Sequence, residues 1–166
     1  MFRNSYLTSD NANKKLIDNF YQKVVDISRN KFFYQKLSVP DTIDGRFDLL
    51  ILFSVITNYF LSKYDFKGKL ISQGLFDKIF LDLDLSLREL GAGDAGVHIK
   101  IKNMISSYMG RQKVYCDALE RNDFINLNKL IIKNVYRNVE NYEQDPLILT
   151  QYYQKIYNSF KNKNEI

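Results

Sequence analysis

Two carboxylates one residue apart, in Asp82-Leu83-Asp84, are the most obvious raw material for chemistry in this chain. Paired acids bind divalent cations or share acid–base work. Here the flanking residues repeat at helical spacing, and positions i and i+2 of a helix point about 200° apart. The two cannot grip one cation together, and no second acidic cluster supports them. An Asp84–Arg88 pair at i, i+4 on an exposed or half-exposed face is the simpler reading. The run Gly91-Ala92-Gly93-Asp94-Ala95-Gly96 has the glycine density of a phosphate loop. It follows a helical stretch instead of a strand, however, and no Lys-Ser/Thr follows its last glycine. A tight helix–helix corner fits better, with Asp94 capping the next helix or accepting from Arg88 or Arg111. The sole histidine, His98, and the sole cysteine, Cys116, form neither a zinc site nor a nucleophile pair. They read as a helix-start imidazole and a core thiol. No nucleophile elbow is present. The expectation is therefore no enzyme, no catalytic residue, no metal and no cofactor.

The elements that must position these residues are helices. The chain has 166 residues, 45% hydrophobic and 26% charged, with only 7 Gly and 2 Pro, which disfavours a turn-rich β architecture. Its net charge of +5 attracts RNA, anionic lipid or acidic protein, but 19 acidic residues are mixed among the basic ones. One cysteine excludes an intrachain disulfide and suits a reducing compartment. No signal peptide is evident in the polar residues 1–15. The longest apolar run, 49–53, extends to Leu61 only through Ser54, Thr57 and Asn58. A membrane span needs about 18 to 20 apolar residues, so this stretch is expected to be a buried helix.

Periodicity predicts the order of elements. A first helix is expected over about 11–36, with Leu16, Phe20 and Val24 beside Ile17, Tyr21 and Val25 on a face reaching Phe33. Ser38-Val39-Pro40 ends it. Asp41 and Asp44 have N-cap and N3 spacing for a second helix, about 47–62, apolar on most sides. Residues 63–69 read as a charged connection. A third helix over about 70–90 carries Phe76, Ile79, Phe80, Leu83, Leu87 and Leu90 in one stripe, and stops at Gly91-Ala92-Gly93, where glycine can adopt the left-handed cap conformation. A fourth, about 97–119, holds Ile101, Met104, Ile105, Tyr108 and Tyr115. Asn122 or Asp123 opens a fifth. Residues 138–146 form a polar linker, a last helix spans 147–160, and the tail 161–166 is expected to fray. The expected fold is all-α, one domain over 1–166, an irregular bundle of about six helices. Most of the 12 Tyr and 12 Phe lie on apolar faces and read as core. Tyr152, Tyr153 and Tyr157, near Lys155, read as a contact surface.

Three ordered blocks go further. They are Val39-Pro40-Asp41-Thr42-Ile43-Asp44-Gly45-Arg46-Phe47-Asp48, then Phe80-Leu81-Asp82-Leu83-Asp84-Leu85-Ser86-Leu87-Arg88-Glu89-Leu90-Gly91-Ala92-Gly93-Asp94, then Met109-Gly110-Arg111 with Tyr115. In that order they resemble the signature of the ubiquinol–cytochrome c chaperone family, over roughly residues 35–120. The sequence departs at Phe53 and His98, where family members often have His and Pro. The resemblance implies an assembly factor that binds a protein client. Mitochondrial members bind newly made cytochrome b near the ribosomal tunnel exit, with a small partner subunit. The shorter chain here, without an evident presequence, looks like the bacterial form: cytoplasmic, with at most peripheral contact at the inner membrane, and with no DNA partner expected.

A nascent membrane segment exposes apolar surface that water penalises at about 25 cal/mol per Å². A helical bundle can shelter it in a groove, with polar residues setting orientation. The residues carried into that role by the resemblance are Asp44, Arg46, Asp82, Asp84, Arg88, Glu89, Asp94, Arg111 and Tyr115. The competing reading makes them an internal network clamping the corner at residues 91–96, and it is favoured for Asp44 and Asp94. An RNA- or ribosome-binding helical module is the alternative function.

Overall fold

A computed structural model of the protein describes residues 3–91, 93–137, 139 and 145–164. Among these there are only helices: α1 (Arg3–Ser28), α2 (Lys31–Gln35), α3 (Ile43–Lys63), α4 (Phe66–Glu89), α5 (Asp94–Glu120), α6 (Phe124–Val135) and α7 (Leu147–Asn164). The fold is all-α as expected, with six long helices and the short α2. No helix among the described residues is long and apolar enough to cross a membrane.

Local chemistry explains the boundaries and corrects several expectations. The first helix does not run unbroken to residue 36. It ends at Ser28, whose Oγ turns back to the Val25 carbonyl at 2.9 Å. Asn30 then caps α2 by accepting from the Phe32 N–H. The second long helix starts earlier than expected, at Ile43, and its cap is Thr42, not Asp41. The Gly45 N–H donates to Thr42 Oγ1 at 3.1 Å, while Asp41 is engaged by Arg46. The charged connection expected over 63–69 shrinks to residues 64 and 65, because Asp65 accepts from the Gly68 N–H and starts α4 at Phe66. Asp123 caps α6 in the expected way. The expected fraying from residue 161 is not seen, since α7 continues to Asn164. The expected linker over 138–146 lies largely outside the described residues, as do residues 165 and 166.

The helices group into two compact units. One comprises Met1–Val24 and Thr57–Gly110, the other Val25–Ile56 and Arg111–Ile166. In the first unit, Phe76 and Phe80 lie tilted against each other and each meets Tyr108 edge to face, with centroids 4.7–5.7 Å apart. Their polar neighbours form a chain: Asn58 Nδ2 donates to Tyr108 Oη at 2.7 Å and Ser72 Oγ donates to Asn58 Oδ1 at 3.1 Å. The buried amide is thereby satisfied at both ends. Lys78 Nζ donates to Asp18 at 2.5 Å and lies over the Tyr21 ring.

In the second unit, Phe33, Phe53, Tyr152 and Tyr153 form one aromatic cluster. Tyr153 and Tyr157 are buried, and Tyr152 is half-buried against Phe33 and Phe53. The expected tyrosine contact surface on α7 is therefore mostly core. Thr150 Oγ1 donates to Asn128 Oδ1 at 2.6 Å, fixing α7 on α6. Cys116 is half-buried, not a core thiol.

Geometry calls for glycine at Gly45 and Gly91 for two different reasons. A methyl group on Gly45 would overlap the backbone carbonyl oxygen of Pro40, which cannot rotate away. Gly91 sits at φ +83°, and is the residue of the predicted 91–93 stop that takes the left-handed conformation at the end of α4. Gly45→Ala should lower the unfolding free energy by about 2 kcal/mol through overpacking. Gly91→Ala should cost about 1 kcal/mol through backbone strain alone, since nothing crowds that position. Urea titrations measure both, and equal losses at the two sites would contradict the distinction.

Candidate functional site

The expected site residues fall into separate clusters. In the first unit, Arg88 sits one helical turn after Asp84 on α4. Its Nε donates to Asp84 Oδ2 at 2.6 Å and its Nη2 to Oδ1 at 3.3 Å, a two-pronged grip. Its Nη1 donates to Asp94 Oδ1, across the corner where α5 begins. Asp94 thus takes Arg88, not Arg111, as its partner. The Arg88 hydrogen bond holds the Asp84 carboxyl below the usual carboxylate range. Asp94 is 92% exposed and Arg88 44%, so the triad is a surface feature. Asp82 is half-buried and Glu89 exposed; both lie on the same helix, outside the triad. Among the described residues no three His, Cys, Asp or Glu side chains come together to hold a metal ion.

Several large apolar side chains are exposed on α4 and at its end. Leu81 is 61% exposed, Leu85 51% and Leu90 69%. Leu81, Leu85 and Arg88 share one face of α4, at i, i+4 and i+7. Ile99, in the first turns of α5, is exposed as well.

The second unit holds the other residues. Arg111 on α5 donates through Nη1 to Asp48 Oδ1 on α3. Arg137, two residues after α6, donates through Nη2 to Asp48 Oδ2 at 2.7 Å. The Asp48 side chain is 2% exposed and Arg111 11%, whereas Arg137 is 41% exposed. Burial pushes the Asp48 carboxyl above the usual carboxylate range, and the two guanidiniums pull it back. Tyr115, one turn along α5 from Arg111, is buried and accepts from Asn134 Nδ2 at 3.1 Å. Burial pushes its phenol from 10.0 up to about 12. Arg46 donates through Nε to Asp41 at 2.6 Å on the surface, and Asp44 is exposed in the first turn of α3.

The sequence reading missed Asp48 and Arg137. Asp48 carried a usable signal: a lone carboxylate inside an apolar helix must find cations when it is buried. Arg137 carried none, standing 89 residues from its partner and beyond the three blocks.

Two predictions follow from the burial of this network. Asp48→Ala leaves the Arg111 guanidinium buried and unpaired, and should lower the unfolding free energy by about 3 kcal/mol or more. Arg137→Ala should cost only about 1 kcal/mol, because that guanidinium reaches water. Chemical denaturation of the two variants tests this ordering, which equal losses would contradict. Tyr115 binds its proton more tightly folded than unfolded, so its contribution is full below pH 10 and is lost as pH rises towards about 12. Over that window wild-type stability should fall by up to about 3 kcal/mol relative to Tyr115→Phe. Denaturant midpoints at stepped alkaline pH measure it, and parallel curves would count against the assignment.

A profile of the family described as ubiquinol-cytochrome C chaperone matches residues 35–160. The matched span includes all three sequence blocks, the Asp84–Arg88–Asp94 triad and the Asp48 network. A comparison with curated protein sequences gave no match. Among solved structures, the crystal structure of the Cbp3 homolog from Brucella abortus is similar, with a TM-score of 0.85 and 28% sequence identity, covering 96% of this chain and 88% of that one. The extent of the profile match, joined to this likeness, means that the chain belongs to the ubiquinol–cytochrome c chaperone family.

Proposed function

We propose that the protein is a non-enzymatic assembly chaperone that holds cytochrome b, or a related apolar client, while the ubiquinol–cytochrome c reductase complex is built. The family match carries this reading, because it assigns the chain to chaperones of that complex. The exposed face of α4 supplies a physical means. Burying a leucine side chain contributes about 1.5–3 kcal/mol, and Leu81 and Leu85 at i, i+4 offer two such anchors to a client helix. Arg88, held by Asp84 and Asp94, sets a charged boundary beside them. Asp82 and Glu89 flank the same face and supply its acidic edge. Arg111 and Tyr115 act in this reading as supports of the fold, since both are buried in polar pairs. The work is done in the cytoplasm, at most peripherally at the inner membrane, and the ribosome and a small partner subunit are its proposed companions.

The test is recovery of the tagged full chain from its native cells. Cytochrome b should co-purify, and the double variant Leu81→Asp/Leu85→Asp should lose it by about tenfold or more with an unchanged circular dichroism spectrum. Absence of cytochrome b, or a double variant that retains it fully, refutes the reading. Recovery of ribosomes or RNA in its place, with steep loss on added salt, supports the RNA-binding alternative.

A further inference from the structure

The second unit contains a cleft of about 220 Å³ that the client reading does not use. It is lined by Arg29, Lys31, Tyr34, Gln35, Asp41 and Arg46. The three cations come from separate pieces of chain. Arg29 follows the end of α1, Lys31 opens α2, and Arg46 lies in the first turn of α3. Tyr34 fixes the arrangement, its Oη donating to the Ser28 carbonyl at 2.6 Å. The Gln35 side chain, also in the lining, carries amide donors.

The charges in the cleft do not balance. Asp41 is the single acid, and it engages Arg46 through Nε alone, leaving the two Nη nitrogens for another acceptor. Arg29 and Lys31 join no salt bridge among the described residues. An excess of two positive charges therefore converges on one small space. Like charges gathered this way repel unless a counter-charge is supplied. A carboxylate or a nucleic-acid phosphodiester brings about one negative charge, whereas a phosphate monoester brings about 1.5 to 2 at neutral pH and presents three acceptor oxygens to Arg, Lys and Gln donors. Asp41 opposes any anion, but its pair with Arg46 is solvent-exposed, with side chains 55% and 61% accessible, and is readily remodelled.

We propose that this cleft binds a phosphate monoester group, carried either by a soluble metabolite or by a phosphatidic-acid headgroup.

The experiment titrates inorganic phosphate into the full chain by calorimetry, and in parallel floats the chain with phosphatidylcholine vesicles with and without phosphatidic acid. Saturable one-to-one phosphate binding is expected, about tenfold weaker in Arg29→Gln and in Lys31→Gln and unchanged in the exposed control Lys129→Gln. Flotation that depends on phosphatidic acid and is lost in the same two variants assigns the lipid as the source. Phosphate binding without flotation assigns a soluble ligand. The proposal is overturned if neither phosphate nor phosphatidic acid binds, or if acetate binds as tightly as phosphate. A single-stranded oligonucleotide binding more tightly than phosphate would also overturn it, as would an equal loss in Lys129→Gln.

Discussion

A carboxylate buried in an otherwise apolar helix is the constraint on which the second unit depends. Asp48 lies among Phe47, Leu49, Ile51 and Leu52 on α3, where an isolated charge would be strongly unfavourable. Two guanidiniums make it tolerable, and they come from α5 and from the chain just after α6. Apolar packing alone would allow α3 and α5 to slide or rotate at small cost, because methyl groups are interchangeable. A carboxylate with two assigned donors does not allow that. It fixes one register between α3 and α5 and anchors the exit of α6. The Asn134–Tyr115 pair repeats the principle one turn further on, again joining α5 to α6.

The first unit uses a neutral version of the same device. Asn58 is donor to Tyr108 and acceptor from Ser72, so α3, α4 and α5 are tied by a short polar chain beside the Phe76–Phe80–Tyr108 cluster. In both units the long-range polar bonds inside the core fix alignment, while aliphatic and aromatic side chains together provide the buried apolar area. This division explains why a chain of such repetitive composition settles on one arrangement: many helical faces are greasy, but few positions offer a matching donor and acceptor.

That division also determines what was legible in the sequence. Helix identity came through because the 3.6-residue period is local. So did the Gly91 stop, the Asp123 cap and the Asp84–Arg88 pair, each set by residues within a few positions of one another. The break at Asn30 was hidden because apolar spacing continues past it to Phe33, and the amide that caps α2 looks like any polar surface residue. Tyr152, Tyr153 and Tyr157 were assigned to a surface because a phenol is compatible with either place; only the positions of Phe33, Phe53 and Phe124 decide it. The partners of Asp48 and Tyr115 were invisible for a related reason. They are fixed by tertiary contact across 19 to 89 residues, and no local pattern encodes them.

The same distribution of forces bears on how a holding factor can let go. Were the client to bind through groups like Asp48 and Arg111, each release would strand a buried charge, and dissociation would be slow. The residues left on the surface of the first unit are of another kind. Leu81, Leu85 and Leu90 project from α4 and its end, and Arg88 is satisfied internally by Asp84 and Asp94. On the proposed reading an apolar client resting there would gain from each leucine it covers, and its departure would return leucines to water without leaving any charge unpaired. Affinity then scales with how much apolar surface the client still exposes. On the proposed reading the hold would weaken step by step as the client folds into its own complex and hides that surface, and transfer would need no energy source beyond the client's own folding.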